Sequence, residues 1–558
     1  MTLQALRYEL AHPRTSVQLC VLGIVAGVSA ASVIILFRLC YEWLQLQALS
    51  EFGDYYGADT WIRFVMPLVA CIGILCVAYL TGFRHYRLGI PFVIHRVKYH
   101  FGHIPFRTTI NQFLGGMFAL AGGFSVGREG PSVHLGAAGS SFIGQWLKLP
   151  YNSIRILAGC GIAAGISASF NTPFAAVIFV MEVVLREYKI HIFVPVMLAA
   201  ACGSLLTRAV FGEFNELAFL TFADFNPWLY AYLVVLGILL GFLASLFNRN
   251  LMLIMRFFRP VRMHWRLVLA TIITASAGAI VPDAMGASFE TVDQLFDRNP
   301  GVVLLSVVVV VKFLLTITAI GLGVPGGIMG PVMVLGMLSG ALLLIPVSYV
   351  TDTEGLTSSF ALLGVAGMLT AVLHAPLAAL SAVMELSYSP EIILPAMLVI
   401  VPAYVTATQF LKNRSIFIQQ LDYQKLPYAT SSVREVLQKT GVLAVMDQQH
   451  KLFYDAPDEA ILAFLDKAPT NPVVQRSSFE IDVQYMLVEY NVSLEHDASP
   501  LTYSSMAGLS HQATLSEVFE SLQSARSGAV YIYQDTHEQL LGVITWNMLQ
   551  SYLMKEQY

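Results

Sequence analysis

The chain has 558 residues, 56% of them hydrophobic and only 12% charged, with a mean hydropathy of +0.66. A chain this apolar is not soluble along its whole length. A net charge of −4 without a basic cluster interleaved with aromatics excludes a nucleic-acid partner. It reads as a polytopic membrane protein that lives in a lipid bilayer.

The N-terminal piece carrying Arg7 and Arg14 is amphipathic and reads as retained and cytoplasmic, because the apolar run behind it is too long for a signal peptide and lacks a plausible cleavage site. That run, Val17 to about Trp43, exceeds the ~20 residues that span a bilayer and predicts a long tilted helix. A second span is predicted from Ile62 to Tyr79. The basic loop Arg84-His85-Tyr86-Arg87 runs through Leu88-Gly89-Ile90-Pro91, with Arg96 and Lys98 beyond, and such loops favour the cytoplasmic side. The next apolar segments are short and broken by glycine and proline, which predicts discontinuous helices near a transport site. Cys20, Cys40, Cys71, Cys76, Cys160 and Cys202 show no paired or metal-ligand spacing and read as small core residues.

Gly122 to Gly136 sets one carboxylate, Glu129, in a glycine-rich break between apolar segments. Gly130 and Pro131 predict a helix start, since proline lacks only an N–H that has no partner there. The amides and partial positive charge of that end suit an anion. Irregular backbone at membrane depth must line an internal cavity. Glu129 can itself fill the anion site, competing with a small permeant anion and leaving when protonated or displaced; a carboxylate that merely satisfies amides is the structural alternative. Arg128 either draws anions inward or pairs with an acid.

The chain repeats itself. Gly127-Arg128-Glu129-Gly130-Pro131, then Leu135-Gly136, returns as Gly327-Ile328-Met329-Gly330-Pro331, then Leu335-Gly336. Pro173-Phe174-Ala175-Ala176, ending at Met181-Glu182, returns as Pro376-Leu377-Ala378-Ala379, ending at Met384-Glu385. Two blocks in the same order predict two related halves, roughly residues 60–210 and 230–425, whose broken helices converge near the midplane. Glu182 and Glu385 read as marking the membrane boundary, with Arg186, Glu187 and Lys189 just past Glu182. His134 and His374 read as hydrogen-bonded helix histidines.

From about Leu411 to Tyr428 the composition turns mixed. Beyond it, Asp458 to Lys467 predicts a helix before a strand at Asn471-Pro472-Val473-Val474. Thr514-Leu515-Ser516-Glu517 is a capping box opening a second helix, followed by strands at Ala529–Tyr533 and Leu541–Thr545. The helix–strand unit occurs twice.

Together these features resemble the CLC family of chloride channels and proton/chloride antiporters with a C-terminal pair of CBS domains. The resemblance implies an all-α polytopic membrane protein with an inverted internal repeat and discontinuous helices (1–425), followed by an α/β tandem CBS domain (426–558, repeats 442–509 and 510–558). It implies a homodimer in the cell (inner) membrane with both termini cytoplasmic, moving chloride and other small anions, and no catalysis. Glu129 matches the gating glutamate. Leu88, Gly89, Ile90, Gly127, Arg128, Gly130, Ile328, Met329 and Phe417 fall on the anion-coordinating positions, where backbone partial charges attract an anion without trapping it.

The chain departs from the pattern at four places. The family's coordinating serine and tyrosine are replaced by Leu88 and Phe417; each missing hydroxyl weakens a buried anion site by roughly 1–3 kcal/mol unless another group substitutes. Met329 stands for the usual phenylalanine. The antiporters' inner proton-accepting glutamate falls on Val183, and Glu182 next to it is turned by ~100° on an α-helix. That favours a passive, voltage-gated chloride channel, with a proton-coupled antiporter as the alternative. Gly542-Val543-Ile544-Thr545 resembles the start of a CBS adenine-nucleotide motif, but Met548 stands where an aspartate would hold the ribose.

Overall fold

The computed structural model describes residues 2–83, 89–212, 217, 219–220, 222–223, 225–298, 300–349, 353, 355–428, 432–467, 472–477, 484–490 and 500–555. The chain forms two compact units. One comprises Cys20–Ile143 with Ile156–Tyr428, and the other Met1–Leu19, Gly144–Arg155 and Ala429–Tyr558.

The first unit is helical. Among the described residues ten helices are long and apolar enough to cross a membrane, beginning with Val17–Leu46 and Thr60–Leu80, and two shorter apolar pieces, Pro173–Leu185 and Pro376–Ser387, accompany them. The sequence repeat is a repeat of packing. Helices Glu129–Trp146 and Tyr151–Phe170 touch where Gly136 meets Gly161: a Cβ on either would lie 2.3 or 2.1 Å from the other's carbonyl oxygen. Helices Met329–Ser348 and Leu356–Leu373 touch at the matching Gly336 and Gly364, where the same distances are 2.7 and 2.0 Å. Within a bilayer, small residues of this kind let helices associate by close backbone packing.

Across the halves the contacts are reciprocal. The Glu182 carboxylate accepts the N–H groups of Leu377 (3.2 Å) and Ala378 (2.7 Å), and Glu385 accepts those of Phe174 (3.1 Å) and Ala175 (2.8 Å). Each acid caps the start of the other half's helix, just after Pro376 or Pro173. A contact in which residue i meets j while its counterpart of j meets its counterpart of i is the mark of a two-fold relation. These two glutamates therefore do more than mark a boundary. Glu182→Ala and Glu385→Ala should each lower the melting temperature of the detergent-solubilised protein by a similar amount, with a loss of about 0.5–2 kcal/mol per cap, and the glutamine variants should lose less.

Among the described residues of the second unit seven strands form two sheets: β1 (Lys451–Tyr454), β2 (Val473–Ser477), β3 (Gln484–Tyr490) and β4 (Leu501–Ser505) in the order β1-β2-β3-β4, and β5 (Ala507–Ser510), β6 (Ala529–Tyr533) and β7 (Leu540–Thr545) in the order β5-β6-β7. Each sheet opens with a parallel pair, β1 with β2 and β5 with β6, and continues antiparallel. Helices Asp458–Leu465 and Leu515–Leu522 provide the two parallel crossovers. Asn471, the predicted start of β2, lies outside the described residues. The Glu517 carboxylate accepts the Thr514 N–H at 2.9 Å, as a capping box requires. Tyr485 and Tyr531 join the two sheets, their rings 4.7 Å apart.

The N-terminal helix Leu3–Ala11 and the segment 144–155 belong to this unit. Gly441 N–H donates to the Ala11 carbonyl (2.9 Å), Ser153 Oγ to Leu10 (2.8 Å) and Gln512 Nε2 to Leu149 (3.0 Å).

Candidate functional site

Two broken strands of backbone meet at the centre of the first unit. Gly127 and Gly327 exchange N–H···O bonds of 2.9 and 2.6 Å, so the two repeated loops are zipped at one residue each. Immediately after them the helices Glu129–Trp146 and Met329–Ser348 begin. The first N–H groups of a helix have no partner within it and carry its partial positive charge, so two electropositive helix starts lie beside this bridge.

Glu129 is the acid placed there. It is 1% exposed, and three glycines make room for its carboxylate. A Cβ on Gly127 would lie 1.9 Å from Oε2, one on Gly327 2.5 Å from the same oxygen, and one on Gly330 2.6 Å from Oε1. Any side chain at those positions would displace the carboxylate, which explains physically why both copies of the motif spend glycine there. Gly130 is needed for a different close approach, its Cβ position lying 2.8 Å from the Gly326 carbonyl oxygen.

Three cavities lie in this unit near or beyond the bridge, labelled outer, central and inner by the orientation that the family resemblance implies. The outer one is lined by Gly127, Arg128, Glu129, Tyr41, Phe170 and the segment 286–290. The central one is lined by Gly89, Ile90, Gly326, Gly327, Ile328 and Phe417, and the inner one by Phe417, Ile418, Glu182, Val183, His374 and Arg414 among others. Glu129 with the Gly127–Gly327 bridge divides the outer cavity from the central one. Phe417, 1% exposed, belongs to the walls of both the central and inner cavities. The inner cavity, about 210 Å³, is larger than the outer and central ones, about 40 and 30 Å³.

The residues singled out from the sequence are distributed as follows. Gly89, Ile90, Ile328 and Phe417 share the central cavity, while Gly127, Arg128 and Glu129 share the outer one. Leu88 lies outside the described residues. Met329 lines a separate apolar cavity with Phe170, Phe179 and Met333, so its side chain is not part of the central wall. The Gly89 N–H, expected to face an anion, donates to Gln112 Oε1 at 3.0 Å. Arg128 donates to the Tyr41 hydroxyl (3.1 Å) and lies over the Phe170 ring at 4.5 Å, both of which line the same cavity. His134 is stacked on Phe92, ring centroids 5.6 Å apart. Neither of its ring nitrogens has a hydrogen-bond partner among the described residues, so it is a packed aromatic and not the hydrogen-bonded histidine expected.

Glu182 and Val183 line the same inner cavity. The segment that carries both, Val180–Leu185, is π-helical; consecutive side chains still point in different directions there, and the cavity is broad enough to be lined by both. An acid therefore stands at the inner cavity although the inner proton position itself holds valine.

Two contributors escaped the sequence reading. Ser132 Oγ and Ser169 Oγ lie 2.7 Å apart and tie the start of the Glu129 helix to the end of the next. Lys312 lies inside helix Val302–Leu322 and is 1% exposed. A lone cation within an apolar run was the available signal.

Residues 68–408 match the family model described as "Voltage gated chloride channel". The chain is 28% identical over 439 residues to the "H(+)/Cl(-) exchange transporter ClcA" of Klebsiella pneumoniae (strain 342), a match covering 74% of this chain and 90% of that one. Among solved structures it resembles a slow cyanobacterial Cl−/H+ antiporter (TM-score 0.63, 20% identity, 73% of this chain and 96% of that one). It also resembles a eukaryotic CLC transporter (TM-score 0.58, 19% identity, 95% and 97%).

Proposed function

The chain belongs to the CLC family of voltage-gated chloride channels, and we propose that it is a membrane transporter exchanging chloride for protons, with Glu129 as the carboxylate that alternately fills an anion's place and carries a proton. The observation that carries this reading is the seat of the Glu129 carboxylate between Gly127, Gly327 and Gly330, beside two helix starts. A negatively charged group is stable there for the reason a permeating chloride would be. The exchange activity in the names of the relatives favours coupling over passive flow, and Glu182 on the inner cavity wall supplies an acid on the side from which protons would load.

Val183 favours a second reading, a passive voltage-gated channel opened by protonation or displacement of Glu129. A chloride gradient imposed across proteoliposomes separates the two. Exchange predicts protons driven uphill with a reversal potential that moves with the proton gradient, whereas a channel predicts a reversal potential set by chloride alone.

The finer features belong to the same proposal. The halves are inverted across the membrane, the protein is a homodimer of the inner membrane with cytoplasmic termini, and the C-terminal unit is a CBS pair. Any adenine nucleotide would lie at Gly542–Thr545, where Thr545 Oγ1 accepts the Met548 N–H at 3.3 Å. With Leu88 and Phe417 in place of hydroxyl donors, chloride is held weakly in the central cavity.

A further inference from the structure

Lys312 is buried in a membrane-length helix, and its Nζ is surrounded by the carbonyl oxygens of Ala284 (3.4 Å), Met285 (3.3 Å) and Gly286 (2.5 Å). An ammonium has three N–H donors and a neutral amine two, so three acceptors match the charged form. Among the described residues its partners are carbonyls and no carboxylate. The segment it holds is the outer wall of the Glu129 cavity, since Gly286 to Glu290 line that cavity and the Gly286 N–H donates to the Gly123 carbonyl at 2.9 Å. One turn on, Thr316 donates to the Lys312 carbonyl (2.8 Å) and meets Ser125 Oγ (2.8 Å). Helix Val302–Leu322 thus grips both the loop before Glu129 and the wall facing it.

The repeat sharpens this. Lys312 precedes Met329 by the same 17 residues that separate Gln112 from Glu129; Gln112 also meets the backbone, but as an acceptor, its Oε1 taking the N–H of Gly89 at the start of helix Gly89–Tyr99. The half bearing Glu129 has a neutral side chain at this position, and the half with Met329 in the matching place has a cation.

We propose that Lys312 is the fixed counter-charge of Glu129, a positioning residue that holds the outer wall and favours the carboxylate over the acid form of the gate. The inference rests on the gating role of Glu129 proposed above. Other charged or titratable groups face the same cavity, namely Arg128, Tyr41, Tyr55 and Glu290, and the Asp283–Arg298 ion pair closes on itself at the start of the held segment. All of them stay in place in the variants below, so they do not contribute to a difference between variants.

The test is the pH dependence of chloride flux in proteoliposomes. Lys312→Gln keeps N–H donors for the carbonyls and removes the charge. Its activation midpoint should move to higher pH by about one unit, tenfold in proton concentration. Lys312→Met should shift the same way and Lys312→Arg should not. In a Glu129→Gln background Lys312→Gln should change no midpoint. An unmoved midpoint in Lys312→Gln overturns the proposal, as does a shift that survives Glu129→Gln. If Glu129→Gln alone still responds to pH as the unmodified protein does, the gating role itself fails. Should the uncharged variants not fold, the 15N signal of the solvent-protected lysine in the unmodified protein decides: an ammonium at pH 7.5 supports the proposal and a neutral amine overturns it.

Discussion

Glu129→Gln is expected to pass chloride at pH 7.5 as fast as the unmodified protein does at pH 4.5, with no further response to pH and no proton flux. The sign follows from competition for one place. On the proposed reading the carboxylate sits where a permeating anion must pass, and it is most attractive to the helix starts when charged. As external pH falls it takes up a proton, loses that attraction and yields the path, so flux in the unmodified protein rises as pH falls. Glutamine is nearly the same size and never charged, so the variant is fixed at the low-pH end of this curve. Chloride efflux together with pH-electrode recording reads both quantities.

Gly127→Ala should give the second large effect by moving the same carboxylate without neutralising it. The added Cβ would meet Glu129 Oε2 at 1.9 Å, and its nearest neighbours are all atoms of the Glu129 side chain. The side chain can rotate away, so the variant folds but loses the seated carboxylate. Flux at pH 7.5 should rise by about tenfold, the equivalent of about 1.4 kcal/mol of lost binding in the seat. Adding Glu129→Gln to Gly127→Ala should add nothing, because both remove the same plug. Gly327→Ala is the contrast. Its Cβ would also lie 2.6 Å from the Gly130 nitrogen and 3.1 Å from the Gly127 carbonyl oxygen, contacts that cannot rotate away, so it should lower expression of folded protein.

Much of the fold was legible because membrane helices announce themselves. The run from Val17 became helix Val17–Leu46, and the Gly-Pro pairs at 130–131 and 330–331 became helix starts within a residue. The repeat was legible because the glycines and prolines that force a backbone break recur in order. What was missed depends on contacts between distant residues. Glu182 reads locally as an acid at the end of an apolar run, and only the fold brings it to Leu377 and Ala378. That it lines the same cavity as Val183 was not legible either, since an offset of one residue along a helix does not say how broad the cavity beside it is. The N-terminal amphipathic helix gave no hint that Ala11 would accept the Gly441 N–H. Met329 was placed with the anion-coordinating positions for its backbone amide, and only the fold shows that its side chain lines a different, apolar cavity.

Everything above depends on a carboxylate standing in for an anion. Anomalous bromide density in crystals of the Glu129→Gln protein tests that substitution most directly. The account predicts a bromide between Gly127, Gly327 and Gly330, at the position the Glu129 oxygens occupy in the unmodified protein. Bromide confined to the inner or outer cavities, with that cradle empty, would contradict it.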